Sequence, residues 1–258
     1  MNTTNHNIVV WNPRGLNAAI RGTIVRSVVD DAVASVVCLV ESKLANVDTF
    51  AVMRVLGPRF DSFVALPAVG TAGGIVVAWQ SDRVSVTRSQ VDSFSVTITL
   101  AFEGGEPWSL TTVYGPTQEP LKIPFLEELR AIRAAFPGPW AVTGDFNMIL
   151  DAADKNNARL NRRMMARFRR LLNDVELKEQ VLVGRRYTWS NERRTPTMEK
   201  LDRWFASVDW DLSHPECLLQ ALSSSLSDHC AIMLSTNVSY HRKSRFHFQS
   251  FWPKISGF

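Results

Sequence analysis

Cysteine is scarce in this sequence, and long apolar runs are absent from it. The three cysteines, Cys38, Cys217 and Cys230, have no CxxC spacing, which argues against a disulfide scaffold or a cysteine-rich metal site. Cys38 and Cys230 lie in apolar segments, so we expect buried free thiols, which suit a reducing compartment. No apolar run approaches the roughly 18 residues needed to cross a bilayer, and residues 1–7 lack the features of a secretory leader. We therefore expect an intracellular protein without a membrane segment.

Acidic residues are outnumbered by basic ones, and the imbalance is local. The net charge is +4, whereas residues 151–203 hold fourteen Lys or Arg against eight Asp or Glu, an excess of six. Within that segment apolar residues recur at helical spacing, namely Met164, Met165, Phe168, Leu171, Leu172 and Val175. The arginines between them fall mostly on other faces of the helix. Such a helix either has an ordinary solvated face or binds an anionic partner.

Short apolar segments alternate with helical ones along the chain. Strands are predicted at 7–11 and 35–40, on either side of a helix from about 18 to 31. A helix at about 121–135 precedes a strand that ends at Asp145. An antiparallel meander of four strands lies between, at 73–79, 84–89, 93–102 and 108–114. We predict an α/β (α+β) fold over residues 1–236, a four-layered sandwich of two packed mixed β-sheets flanked by helices, followed by a polar, basic tail at 237–258.

Polar residues stand at the ends of these strands. They are Asn12, Glu41, Tyr114, Asp145 with Asn147, Asp202, and Asp228 with His229. Asp145 and Asn147 in VTGDFN are also common turn formers, so that motif alone is ambiguous. Together, converging carboxylates and carboxamides suit a hard cation such as Mg²⁺ better than zinc, and Mg²⁺ needs only one or two protein carboxylates plus a substrate phosphate. A histidine beside an acidic residue can stay cationic for contact with that phosphate. The set indicates phosphoryl transfer to water.

Six sequence blocks carry a family resemblance. WNPRGLN, YGPT, GDFNMIL, GRRYTWSN, KLDRWFAS and SDHCAI occur in this order. They resemble the endonuclease/exonuclease/phosphatase superfamily, which includes DNase I, apurinic endonucleases and inositol polyphosphate phosphatases. The wording is most similar to the endonuclease domain of plant LINE-type non-LTR retrotransposons. The tail FHFQSFWPKISGF resembles the segment that joins this domain to a reverse transcriptase.

The resemblance implies roles for individual residues. Glu41 is expected to bind the metal, Mg²⁺ or alternatively Mn²⁺, with Asn12 adjoining it and Asp228 nearby. Asp145 is expected to position or deprotonate the attacking water, with Asn147 as its hydrogen-bonding neighbour. His229 would contact the scissile phosphate with its ring oriented by Asp202, while Tyr114 would lie near a phosphate oxygen.

One position departs from the apurinic endonucleases, which have an acid two residues after the asparagine where this chain has Arg14. Repair of abasic sites is therefore disfavoured, and a second metal position is in doubt. We expect DNA to be contacted by basic residues, namely Arg14, Arg162, Arg163, Arg167, Arg186 and Arg203. Trp189 and Trp204 are more simply explained as core residues than as partners for stacked bases.

The leading hypothesis is a Mg²⁺-dependent DNA endonuclease that leaves a nick. It implies DNA as partner, no small-molecule cofactor, a monomer, and a nuclear location, since the enzyme must reach DNA. One alternative keeps the same chemistry on a small phosphoester such as a phosphoinositide. Another is a retrotransposon remnant that binds nucleic acid without cleaving it.

Overall fold

A computed structural model describes residues 6–70, 72–224 and 226–238. Its helices are α1 (Ala19–Asp31), α2 (Thr49–Leu56), α3 (Lys122–Ala135), α4 (Arg162–Asp174) and α5 (Val208–Ser213). Its strands are β1 (Asn7–Trp11), β2 (Ala34–Val40), β3 (Ser62–Leu66), β4 (Ile75–Trp79), β5 (Val84–Val91), β6 (Ser95–Phe102), β7 (Trp108–Tyr114), β8 (Trp140–Asp145), β9 (Leu177–Glu179), β10 (Leu182–Val183), β11 (Trp189–Ser190), β12 (Met198–Glu199), β13 (Asp202–Ser207), β14 (Leu218–Leu222) and β15 (Ala231–Ser235).

Two mixed sheets form the body of the protein. The first has the order β10-β14-β15-β1-β2-β4-β3, and the second has the order β5-β6-β7-β8-β13-β9. In the first sheet β1 and β2 are parallel and are joined by α1, the expected β-α-β unit. In the second sheet β7 and β8 are parallel, with α3 between them in the chain. Each parallel pair carries its carboxyl ends to the same edge, where loops are free to hold functional groups.

Three apolar layers hold the sheets and helices together. Residues such as Val10, Leu110 and Trp204 fill the space between the two sheets. A second cluster packs α1 and α2 on the outer face of the first sheet, and a third packs α3 and α4 on the outer face of the second. This helix–sheet–sheet–helix order confirms the predicted four-layered sandwich. The apolar stripe of α4 is buried as its spacing predicted, and its arginines are exposed or half-buried.

The predicted four-stranded meander is wrong in its first member. Strand β4 pairs with β2 and β3 in the first sheet, so only β5, β6 and β7 form a meander. β4 also begins later than expected, because Gly73 and Gly74 have φ values of +77° and +90° that extended strands do not adopt. The sequence analysis did not predict β3 or α2 at all.

Other predictions for the chain have mixed outcomes. Helices α1 and α3 lie within one residue of their predicted bounds, and the three cysteines are free thiols. Nearly all of the tail at 237–258 lies outside the described residues, which end at Val238. Among the residues described, no helix combines the length and apolar character that crossing a membrane requires.

Candidate active site

The second sheet presents a row of three polar side chains at one edge. Tyr114 at the end of β7 pairs with Asp145 at the end of β8, and Asp145 pairs with Asp202 at the start of β13. Directly paired residues on neighbouring strands lie on the same face about 5 Å apart. The register therefore places the two carboxylates side by side. Gly144 permits the close approach of β7 and β8, because a Cβ atom there would lie 2.1 Å from the carbonyl oxygen of Val113.

The first sheet supplies the opposite side of the site. Asn12 follows β1 and Glu41 follows the parallel strand β2, so both lie at the carboxyl edge of this sheet. His229 precedes β15, which runs antiparallel to β1. The backbone carbonyl oxygen of His229 accepts a hydrogen bond of 3.1 Å from the indole nitrogen of Trp11. Polar residues scattered over the sequence are thus collected where the two sheets face each other.

Asn12 joins the two halves of the site. Its fully buried amide nitrogen donates to Asp145 Oδ2 at 2.9 Å and to Glu41 Oε2 at 3.1 Å. The same nitrogen lies 3.5 Å from Nε2 of His229. Asn147 supports Asp145 from the other side, because its backbone N–H donates to Asp145 Oδ1 at 3.0 Å. Asp145 therefore has a fixed orientation set by donors from both sheets.

His229 lies between two buried carboxylates. Its Nδ1 is 2.9 Å from Asp202 Oδ2, and its Nε2 is 3.7 Å from Asp145 Oδ2. Burial lowers the pKa of His229, but the charge and hydrogen bond of Asp202 outweigh it and, with Asp145, raise the pKa to about 9. Burial raises the pKa of Asp145 to about 7, with the charge of Asp202 adding to the rise and that of His229 opposing it. A cationic ring and an acid that ionises near neutrality are thus adjacent.

A cationic flank surrounds Glu41. Lys43 Nζ lies 3.1 Å from Glu41 Oε1, and Arg14 Nε lies 3.9 Å from the same oxygen. Arg14 also pairs with Asp228 at 2.5 Å, so its guanidinium bridges two of the predicted metal-site carboxylates. Burial, together with the charge of Glu41 and a hydrogen bond to it, raises the pKa of the Tyr114 hydroxyl. Tyr114 therefore stays protonated at neutral pH and can donate.

Strained backbone is concentrated at this edge. Among the described residues, seven that are not glycine have positive φ values, and four of them are Arg14 (+54°), Glu41 (+50°), Lys43 (+57°) and Asn147 (+49°). Residues with a Cβ atom rarely adopt this conformation, and it is commonly retained where side chains must be aimed at a ligand. The loops after β1, β2 and β8 are thus shaped around one common point.

The donor chemistry fits a hard divalent cation. The candidate ligand atoms of Asp145, Asp202 and His229 lie within 4.8 Å of one another, and while the His229 ring is protonated the two carboxylates are the groups of this set that can bind a cation. Glu41, Asp228 and the carbonyl oxygen of Asn12 bring further oxygen donors to the same edge, and oxygen is the ligand that Mg²⁺ prefers.

The basic residues predicted to contact DNA separate into two groups. Arg14, Arg162, Arg163 and Arg186 are exposed and Arg167 is half-buried, so all five remain candidates. Arg203 is 1% exposed and pairs with Glu179 at 2.5 Å and Asp154 at 2.6 Å. Its prediction as a DNA contact disagrees with the structure, because a guanidinium enclosed by these carboxylates presents no surface to a ligand.

Two residues of the site were missed or undervalued. Lys43 follows Glu41 by two residues, a spacing that could have suggested a charge partner. Trp189 was interpreted as a core residue, but it is only half-buried and its indole donates to Asp228 Oδ2 at 2.9 Å. Trp204, by contrast, is fully buried as expected. No sequence signal distinguishes the two tryptophans, because their exposure depends on which loops pack over them.

Solved structures of similar shape agree with this architecture. An apurinic/apyrimidinic endonuclease from Leishmania major superposes with a TM-score of 0.71 and 18% identity over 91% of this chain and 88% of that one. The endonuclease domain of TRAS1, a telomere-specific non-LTR retrotransposon, superposes with a TM-score of 0.68 and 12% identity over 91% of this chain and 99% of that one. A Neisseria 3′ phosphatase bound to a product DNA hairpin superposes with a TM-score of 0.70 and 16% identity over 90% of this chain and 100% of that one. At such identities the likeness establishes the fold.

Sequence comparison identifies the family. No curated protein sequence matches the chain. The model of the endonuclease/exonuclease/phosphatase family, however, matches residues 5–229, which span every strand that contributes to the site except β15. The chain therefore belongs to the endonuclease/exonuclease/phosphatase family.

Proposed function

We propose that this protein is a divalent-metal-dependent DNA endonuclease that nicks a phosphodiester, as the endonuclease domains of LINE-type retrotransposons do. The observation that carries the proposal is the buried group formed by Asp145, His229 and Asp202, in which Asn12 donates a hydrogen bond to Asp145. Nucleases and phosphatases share such chemistry, and the basic surface beside this group favours a polyanionic substrate.

The attacking water is activated by Asp145. Its carboxylate is held by Asn12 and by the backbone of Asn147, and its pKa of about 7 lets it accept a proton at neutral pH. As the water oxygen bonds to phosphorus, its proton passes to Asp145, and the bond from phosphorus to the leaving sugar oxygen breaks with its electron pair on that oxygen, which takes up a proton from solvent. Asp145 is thus the general base of the proposed reaction.

His229 stabilises the charge that develops on the phosphoryl group. Its pKa of about 9 keeps the ring protonated at neutral pH, and Asp202 holds Nδ1 so that Nε2 is left for a phosphate oxygen. The Tyr114 hydroxyl, which stays protonated, donates to a second phosphate oxygen.

Glu41 is the best-placed carboxylate to hold Mg²⁺, with Asn12 and Asp228 beside it, and Mn²⁺ suits the same oxygen donors. When bound, such an ion supplies Lewis-acid polarisation of the phosphate. Glu41 is bonded to Asn12 and paired with Lys43 and Arg14, so its charge is compensated in the absence of an ion.

The exposed arginines supply affinity for the phosphate backbone. Arg162, Arg163 and Arg167 lie on α4, Arg186 lies in the loop before β11, and Arg14 flanks the catalytic group. Contacts of this kind bind nucleic acid with little regard to sequence. They favour DNA over a small phosphoester, because a long polyanion can contact arginines spread over α4, the loop before β11 and the catalytic edge.

Incubation with supercoiled plasmid, in Mg²⁺ or in EDTA, tests the proposal. We expect nicked circles in Mg²⁺ and none in EDTA. Glu41→Gln and Asp145→Asn should each reduce nicking by on the order of 10³-fold, because each removes a charge used in the transition state. Glu106→Gln, at an exposed position in the loop before β7 and thus near the opposite end of that strand from Tyr114, is the matched control and should leave nicking unchanged.

Other outcomes point elsewhere. Release of phosphate from a phosphoinositide without plasmid nicking would favour the small-phosphoester alternative. Binding of DNA without cleavage of either substrate would favour the non-catalytic remnant. Full activity of Asp145→Asn would remove Asp145 from the mechanism.

A further inference from the structure

A basic pocket adjoins the catalytic group on the side of α3 and α4. It has a volume of about 170 Å³ and is lined by Lys122, Lys155, Arg159, Asn147 and Asn161, with Met148 and Met164 among its apolar walls. Asn147 connects the pocket to the catalytic group, because its amide nitrogen lies 3.4 Å from Asp145 Oδ2. We propose that this pocket binds the backbone phosphate next to the scissile one on the strand being cut. The inference rests on the proposed nucleic-acid substrate.

The basic pocket differs from a neighbouring cavity in the charge of the residues that line it. A second cavity, of about 320 Å³, also touches the catalytic edge, through Tyr114, but none of the described residues that line it is charged. The basic pocket has three cationic residues and one acidic one, Glu199, which pairs with Lys155 at 2.8 Å. Arg159 forms no ion pair with any described residue. Unlike the cavity beside Tyr114, this pocket therefore has positive charge left for a phosphate.

Lys122 has charge available for an anion in the pocket. Its side chain is 14% exposed, and its ion partner among the described residues is Glu119, which is 57% exposed and 3.6 Å away. An ion pair this long and exposed is weak, so it competes little with another anion. A phosphate oxygen in the pocket would pair with Lys122 and release counterions of the nucleic acid.

Two helices add positive potential beside the pocket. Helix α3 begins with Lys122, and α4 begins with Arg162 and Arg163. The dipole of each helix is positive at this end, so helix dipoles and cationic side chains both favour a phosphate here.

The position of the pocket suits one step along a DNA strand. Asn147 lines the pocket and also contacts Asp145, so a scissile phosphate held by His229 beside Asp145 directs the next phosphate of the same strand towards the pocket. The apolar walls leave room for the sugar beside that neighbour. The pocket would therefore fix the register of the strand relative to the attacking water.

Binding measurements test whether the basic pocket contacts a DNA phosphate, without relying on cleavage. The full chain carrying Asp145→Asn is titrated with a fluorescent DNA duplex in EDTA over a range of salt concentrations. We expect Lys122→Met and Arg159→Gln each to reduce the slope of log affinity against log salt by about 0.9, the value for one phosphate contact. Lys178→Met, the same change at an exposed site on β9, is the matched control and should leave the slope unchanged. Thermal melting confirms that each variant is folded.

A second measurement locates the contact. Replacing the phosphate adjacent to the nick by an uncharged methylphosphonate should slow nicking by the parent protein by on the order of tenfold. Lys122→Met should show no further loss on that substrate, because the contact is already absent. Equal slopes for Lys122→Met, Arg159→Gln and Lys178→Met would overturn the pocket assignment. If the parent fails to nick plasmid at all, the proposed function fails, while the salt slopes still decide whether the pocket binds phosphate.

Discussion

Asp202→Asn tests whether the charge of Asp202 keeps His229 protonated, because it removes that charge while keeping the shape of the side chain. With a pKa of about 9, His229 is about 97% protonated at pH 7.5, whereas a pKa at its ordinary value of 6.5 would leave about 9%. Asp202 is the strongest of the influences that raise this pKa. The variant should therefore lose up to about tenfold in nicking at pH 7.5. At about pH 6, where the ring is mostly protonated in either protein, the loss should be smaller.

The same substitution predicts a change in stability. A histidine whose pKa is higher in the folded state stabilises that state at low pH, and the contribution disappears as the pH rises through about 9. The difference from 6.5 corresponds to at most about 3 kcal/mol, fully present below about pH 6.5. The free energy of unfolding should therefore fall more at about pH 6 than at about pH 9.5 when Asp202 is replaced.

Titration of the His229 ring by NMR in EDTA, supported by urea unfolding at both pH values, provides the assay. His229→Ala should be at least as damaging to nicking as Asp202→Asn, and the double variant should lose little more, because the two residues act as a unit. A parent imidazole that titrates near 6.5, or losses that simply multiply in the double variant, would refute the coupling. His229 would then be an independent phosphate contact.

Three further predictions concern the frame around the site. Gly144→Ala should lower the free energy of unfolding, measured in urea, by at least about 2 kcal/mol and should impair nicking, because the new Cβ atom would meet the carbonyl oxygen of Val113. A neutral effect would show that β7 and β8 can separate freely. Arg203→Met should cost about 3 kcal/mol, because it removes the buried guanidinium that pairs with the half-buried carboxylates of Asp154 and Glu179, and a change in DNA affinity at equal stability would restore its DNA role. Replacing Arg162, Arg163 and Arg167 with Ala should flatten the salt slope of DNA binding by up to about 0.9 for each contact, and an unchanged slope would make α4 an ordinary solvated face.

Much of the layer structure follows from local pattern. The stripe on α4 and the alternation of strands with helices determine which faces are apolar, and apolar faces must be buried whatever the topology. The chemistry of the polar motifs is also local, since GDFN and SDH place carboxylates, amides and an imidazole next to strands. The sequence alone thus predicted a four-layered sandwich and the residue types of its site.

Strand partners and side-chain environments depend on the tertiary structure. β4 is apolar throughout and could occupy an interior position in either sheet, and only the competition between the two sheets assigns it to the first. Arg203 and Arg162 look equally basic in sequence, yet one is enclosed by carboxylates and the other is exposed. Burial and pairing arise from contacts between residues far apart in the chain. The sequence therefore determined which groups are present, and the packing of the two sheets decided which of them face the substrate and what their pKa values are.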